Sequence, residues 1–518
     1  MTRRLSWAAL MGSALLSAAI SVGAALPAGA TGLKTLVIGK SGDPDNLDPA
    51  VTITNNSWTA SYPAYERLVR FKGGSTDIEP EVATSWKTSD DKKTWTFTIG
   101  DGHTFADGKP VDAAAVKFSF DRLIKIGKGP VGSFSEIQSV DVVDPHTVKF
   151  TLKEPFGPFL STLASSGGSI VDPAVMDNAK DGDMGQGYLA VHTMGSGAYQ
   201  VKSWEKGQQI VMVPNPHWHG KLFFNEIDIK IIKEASARRL ELEHGDLDIA
   251  EDIPIDQLTA LKKEQGIKVV DEPSLYVTYL YLNNRKKPLD DVKVRQALSY
   301  AVDYKGIIQG IMLGHASQMR GPIPEGLWGH DDSVMQYSYE PKKAKELLKE
   351  AGASNLTLDY LYAKTDPTWE QIGLVLQQNL ADIGVKVKLQ DFAYPTMRAK
   401  LDKGDFDIAA GNWSPDYGDP YMFMNFWFDS KLMGLSGDRA FYKNPKVDEL
   451  IRKAAAATEQ SEREALYKQA QKIVVEEAPY ILLFQRNYQF AMRDDVKGYV
   501  YNPMLIQIWN FADMSKTQ

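Results

Sequence analysis

The chain contains no cysteine. That excludes disulfides, thiolate metal sites, a cysteine nucleophile and a lipid-modified N-terminal cysteine. Histidine is sparse, with eight residues scattered along 518 positions. Positive charge is not in excess: 58 Lys and Arg stand against 66 Asp and Glu, a net −8 at pH 7. That argues against a nucleic-acid partner, because binding phosphates calls for a basic face. After the first thirty residues no apolar run is long enough to span a bilayer.

Familiar catalytic signatures are missing as well. There is no H-E-x-x-H and no G-x-S-x-G. Gly102 to Lys109 lacks the glycine spacing of a phosphate loop, and Gly195-Ser196-Gly197 lacks the third glycine of a dinucleotide loop. His217 and His219 have no carboxylate or third histidine at ligand spacing. Asp43, Asp45 and Asp48 resemble a calcium loop, but Leu47 fills a ligand position and the loop glycine is absent. We therefore read no catalytic residue, metal site or cofactor from the sequence.

What is present is an ordinary globular composition, 43% hydrophobic and 24% charged. The length exceeds one usual core, so two or three domains are expected. At the start, Arg3 and Arg4 precede the uncharged stretch Leu5 to Leu26, and Pro27 leads into Ala28-Gly29-Ala30. This is a secretory leader with an A-x-A cleavage pattern. Its length also suits an uncleaved anchor, but its Ala, Ser and Gly content favours cleavage after Ala30. Losing Arg3 and Arg4 takes the net charge from −8 to −10. An exported, acidic, disulfide-free protein points to a Gram-negative periplasm.

Beyond the leader, strand and helix patterns alternate. Leu36-Val37-Ile38, Thr94 to Ile99, Thr147 to Leu152 and Val385 to Leu389 read as strands. Asp112 to Ile124 reads as a helix capped by Asp112; Asp291 to Tyr304, Pro341 to Ala351, Trp369 to Ile383, Val447 to Ala457 and Ser461 to Glu477 read as further helices. Gly245-Asp246-Leu247-Asp248-Ile249-Ala250 recurs as Gly404-Asp405-Phe406-Asp407-Ile408-Ala409. The repeat is either chance or the mark of two α/β lobes that end strands at one cleft. Two Tyr-rich runs, Leu275 to Leu282 and Tyr480 to Phe484, suit strands crossing between lobes as a hinge.

Gly411 to Pro420 packs two carboxylates, two aromatic rings, two prolines and two glycines into ten residues after a strand-like run. It reads either as an Asp/Pro/Gly turn with one core Trp or as a binding wall for an amphipathic, cationic ligand.

Several ordered blocks resemble the family 5 solute-binding proteins of ABC importers. They are Glu79 to Lys87, Thr94 to Phe97, Asp101 to Pro110, Asn215 to Gly220, Leu289 to Leu298 with Ala301-Val302-Asp303, Ala344 to Gly352 and Asp382 to Val385. The resemblance implies an α/β, two-lobed periplasmic-binding-protein (Venus-flytrap) fold of cluster C type, with an extra subdomain in lobe I. The implied divisions are a signal peptide over 1–30, lobe I over 31–62, 186–278 and 483–518, the subdomain over 63–185, and lobe II over 279–482. It implies a monomer that captures a small molecule and delivers it to a permease in the inner membrane, without catalysis.

In peptide-binding members, the acid of a W-x-x-D pattern receives the ligand's α-ammonium. Here that pattern assigns Asp416, with Trp413 three residues earlier. The resemblance leaves the backbone of Asn412 and Ser414 to pair with an extended peptide. Oligopeptide binders carry arginines where this chain has Leu401 and Ala410, so Arg398 and Arg486 are the substitutes for a ligand carboxylate. A non-peptide ligand (oligosaccharide, opine or other plant-derived solute) would instead stack on Trp413, Tyr417, Tyr279 and Trp58 and bond Asn46, Asn55 and Asn56. An exported hydrolase is the remote third reading.

Overall fold

The computed structural model describes residues 34–435 and 437–517. The expected leader lies outside them. One eleven-stranded sheet organises the chain. Its order runs Lys386–Phe392, Thr357–Ala363, Ile408–Trp413, Ile267–Leu282, Tyr480–Arg493, Ile249–Ala250, Thr35–Lys40, Glu226–Ile231, Gln209–Pro214 and Tyr199–Glu205, and Ala316–Gln318 pairs beside Tyr480–Arg493. The parallel pairs on the two flanks are short, and Glu226–Ile231 and the start of Lys386–Phe392 alternate charged and apolar residues so that one face of each packs inward.

Ile267–Leu282 and Tyr480–Arg493 lie at the centre and join both halves. Both are longer than their Tyr-rich runs, because their distal ends alternate with Lys268, Asp271, Gln489 and Arg493 rather than staying apolar. Their antiparallel register is continuous from Ile267↔Arg493 to Pro273↔Asn487 and resumes at Val277↔Gln485. Ser274, Leu275 and Tyr276 therefore stand opposite Arg486 alone. Such a bulge bends the strand and re-aims side chains.

The sequence repeat is structural. Helix Ala235–His244 ends at Gly245 with φ 84°, and helix Tyr394–Lys403 ends at Gly404 with φ 71°. Each left-handed glycine stops its helix and turns the chain into the next strand, Ile249–Ala250 or Ile408–Trp413. The helix expected over Asp291 to Tyr304 is two helices, Val292–Tyr300 and Tyr304–Gly310. Asp303 breaks it by capping the second, accepting from the Gly306 N–H at 2.8 Å. The other expected helices fall within two residues of their ends.

A separate four-stranded antiparallel sheet, Ala83–Thr88, Thr94–Ile99, Thr147–Leu152 and Ile137–Asp144, packs on helix Ala113–Ile126. Trp95, Phe97, Phe120, Phe150 and Phe159 fill its core. This subdomain is pinned to the first lobe by Arg122, whose guanidinium donates to both oxygens of buried Asp48 at 2.8 and 2.5 Å.

Candidate functional site

Strand Ile408–Trp413 pairs along its whole length with Ile267–Leu282, from Leu282↔Ile408 to Val277↔Trp413. On its other side, Thr357–Ala363 pairs only at Tyr360↔Ile408 and Leu361↔Ala409. From Ala410 to Trp413 that edge carries no strand ladder among the described residues.

Asp366 lies beside this edge. One of its oxygens caps helix Pro367–Ala381 by accepting from the Thr368 N–H at 3.0 Å. The other accepts from the Asn412 side-chain amide at 3.2 Å and lies 3.7 Å from Nη2 of Arg486. The strand bulge brings Arg486 over the ring of Tyr276, 4.9 Å from its centroid. Burial pushes the Tyr276 phenol up, opposed by the Arg486 charge and aided by Asp366. Nε and Nη2 of Arg486 are buried without a hydrogen-bond partner among the described residues, so the guanidinium retains unspent donors. Asp366 and Tyr276 escaped the sequence reading. The Asp366-Pro367 pair signals a helix start and says nothing about the second oxygen.

Past the strand, Pro415 is buried and Asp416 exposed. Among the described residues, Asp416 has no hydrogen-bond or ion-pair partner. Water reaches the side chain, yet the protein around it strips enough hydration to push the carboxyl above its ordinary value. Three residues on, Asp419 is the opposite case. It is buried and accepts two 2.7 Å bonds from Arg463. Asp419 fixes the turn, and Asp416 is left free at its tip.

Two expected ring contacts are corrected. Tyr279 is 0% exposed and packs on Trp427, Tyr480 and Tyr281, with its hydroxyl donating to the Asn412 carbonyl at 3.3 Å. Tyr417 is likewise buried in the second lobe's core. Neither offers a face to a ligand. Trp413 is half-buried and stacks on Phe426 at 5.0 Å, and Ser414 is half-buried beside it. Leu401 and Ala410 are core residues. Arg398 is half-buried on helix Tyr394–Lys403, 6.0 Å from the Tyr394 ring, with no ion-pair partner among the described residues.

The first-lobe candidates stand apart. The Asn46 side chain accepts locally from the Asp48 N–H at 2.8 Å. Asn55 opens helix Asn55–Ser61, Asn56 closes over Gly42, and Trp58 is half-buried with its Nε1 unpartnered among the described residues. No hydrogen bond joins these four to the Asp416 turn among the described residues. At the end of strand Thr35–Lys40, the buried Lys40 ammonium donates to Thr59 Oγ1 at 2.7 Å and lies 3.5 Å from Glu251. Burial outweighs that cation and pushes Glu251 up to about 7.

The model of the bacterial extracellular solute-binding proteins, family 5 Middle, matches residues 77–434. The chain is 54% identical over 486 residues to the probable D,D-dipeptide-binding periplasmic protein DdpA of Escherichia coli K12, covering 93% of this chain and 94% of that protein. It is 30% identical to the dipeptide-binding protein of the same organism, covering 95% and 97%. Among solved structures, HbpA2 from Haemophilus parasuis superposes with a TM-score of 0.86 at 27% identity, covering 93% and 100%. The periplasmic binding protein DppA from Helicobacter pylori, in complex with the peptide STSA, gives 0.76 at 28%, covering 93% and 98%.

Proposed function

The chain belongs to the family 5 bacterial extracellular solute-binding proteins, and on that premise we propose that its periplasmic cleft captures short peptides, D,D-dipeptides above all, for an ABC importer. The observation that carries this reading is Asp416, a water-accessible carboxylate with no partner among the described residues, in a partly desolvated turn. A peptide ammonium supplies the missing charge. Arg486, with spare donors beside Asp366 and Tyr276, receives the ligand carboxylate. The open edge at Asn412 and Trp413, with Ser414 beyond it, pairs the backbone between. Charges fixed at both ends limit ligand length. The 54% identical relative is described as a probable D,D-dipeptide binder, which supports that stereochemistry.

The protein is periplasmic and hands its ligand to a membrane permease. It acts as a monomer and carries out no chemistry on the ligand. Its lobes divide as lobe I over 31–62, 186–278 and 483–518, the subdomain over 63–185 and lobe II over 279–482. A sugar-type ligand is disfavoured because Tyr279 and Tyr417 are core residues, which leaves two of the four stacking faces it would use.

Calorimetry on the mature chain tests the reading. A free D,D-dipeptide is expected to bind, its N-acetylated form to bind far more weakly, and its C-amidated form to lose affinity. Equal binding of free and acetylated peptide, or no peptide binding at all, overturns it.

A further inference from the structure

Three segments outside the Asp416 turn bring donor groups together. Glu66 follows the turn Tyr62–Ala64, His103 lies between strand Thr94–Ile99 and helix Ala113–Ile126, and His219 lies between strands Gln209–Pro214 and Glu226–Ile231. One donor atom from each lies within 4.8 Å of the other two. His103 Nδ1 is 2.8 Å from Glu66 Oε1, and the His103 and His219 rings are 5.3 Å apart at 69°.

A second observation points to a ligand. Glu66 is only 2% exposed, and its Oε2 has no hydrogen-bond partner among the described residues. A buried carboxylate oxygen left unpaired is costly. The neighbouring Arg67 directs Nη2 to Glu81 at 3.0 Å and Nη1 to the Tyr62 and Tyr65 carbonyls, and makes no hydrogen bond to Glu66 among the described residues. A cavity of about 610 Å³, lined by Glu66, Tyr65, Arg67, Trp218 and His219, opens beside the group and gives a route from solvent.

We propose that Glu66, His103 and His219 bind a divalent transition ion of the zinc type. Two imidazoles and one carboxylate suit such an ion, whereas magnesium and calcium take oxygen ligands. Three protein ligands leave a fourth position for water from the cavity. Ligand distances of about 2.0–2.1 Å place tetrahedral donors about 3.3 Å apart, so the 2.8 Å contact of His103 with Glu66 opens slightly while His219 moves in. Exposed His219 can swing on its loop to close that gap. The ion ties the subdomain, through Glu66 and His103, to His219 of the first lobe. His217 takes no part, because its ring packs on Gly108. The proposed ligands are spread over three segments, so no local spacing marks them.

The test uses tag-free mature protein stripped with a chelator. Zinc titration by calorimetry is expected to give one saturable site. Cobalt is expected to give a visible ligand-field band, and zinc to raise Tm. The exposed position of His219 lets His219→Ala fold, which circular dichroism checks. That variant is expected to lose zinc affinity by roughly tenfold or more, with the cobalt band and the Tm rise, while peptide affinity stays unchanged. Glu66→Gln is expected to follow it. No saturable zinc binding by the unmutated protein, or zinc affinity unchanged in His219→Ala, overturns the proposal and leaves His103 and Glu66 as a hydrogen-bonded pair only.

Discussion

Asp248 and Asp407 do the same work in the two halves of the sheet. Asp248 accepts from the Val37 N–H at 2.9 Å and pairs with Lys516 at 2.5 Å. Asp407 accepts from the Asp359 N–H at 2.8 Å and pairs with Lys286 at 2.6 Å. In each half the aspartate lies just before a short strand and holds the first residues of its parallel neighbour. The repeated Gly-Asp-x-Asp-Ile-Ala segment is thus a joint between helix, turn and sheet, used once per lobe.

Removing that acceptor leaves a backbone N–H at the strand edge without its partner. Asp407→Ala is expected to cost about 1–3 kcal/mol in urea unfolding. Asp407→Asn keeps an acceptor and loses only the ion pair with half-exposed Lys286, so less than about 1 kcal/mol is expected. Equal losses in both variants would show that the lysine, not the strand N–H, is the important partner.

Asp416 differs in having no hydrogen-bond or ion-pair partner among the described residues. Asp416→Ala is expected to leave Tm nearly unchanged while weakening a free peptide by ~3–5 kcal/mol, read by calorimetry. The carboxyl must be ionised to receive an ammonium. Because its free-state pKa lies above the ordinary value of 3.8, affinity is expected to fall as pH is lowered, starting at a higher pH than an ordinary aspartate would give. An N-acetylated peptide should show no such slope.

The Arg463–Asp419 pair holds the turn against the rest of the molecule. Around it, Gly157 N–H donates to the Ala455 carbonyl at 2.7 Å and Phe156 packs edge-on against Tyr421 at 5.4 Å. Arg463→Leu strands a buried carboxylate, and a loss of about 3–5 kcal/mol is expected in denaturant unfolding. Replacing both partners by apolar residues should recover part of it.

Glu251 sets a pH dependence of stability. Its folded pKa of about 7 lies above the unfolded 4.5, so between those values the folded state holds more protons. Stability then falls as pH rises through that window. Glu251→Gln is expected to flatten the slope between about pH 4.5 and 7, measured as Tm against pH, while leaving Lys40 without its counter-charge. A slope unchanged in the variant would assign the effect to another group.

Much of this protein was determined by local sequence. Apolar spacing and Asp112 as a cap mark elements, because those preferences act within one or two turns of chain, whereas the break at Asp303 showed only in the structure. The W-x-x-D pattern singled out Asp416 as the expected acceptor. Which faces of the rings meet water was decided only in three dimensions. Tyr279 and Tyr417 look like Trp413 in sequence, yet packing against Trp427 and the second-lobe core buries them. The site's other half came from strand register. Asn412 meets Asp366 across 46 positions, and a three-residue bulge turns Arg486 and Tyr276 toward them. Glu66, His103 and His219 likewise converge only after the subdomain docks. Short-range stereochemistry writes helices and turns into sequence, whereas contacts between distant segments depend on how whole sheets pack, which no local pattern records.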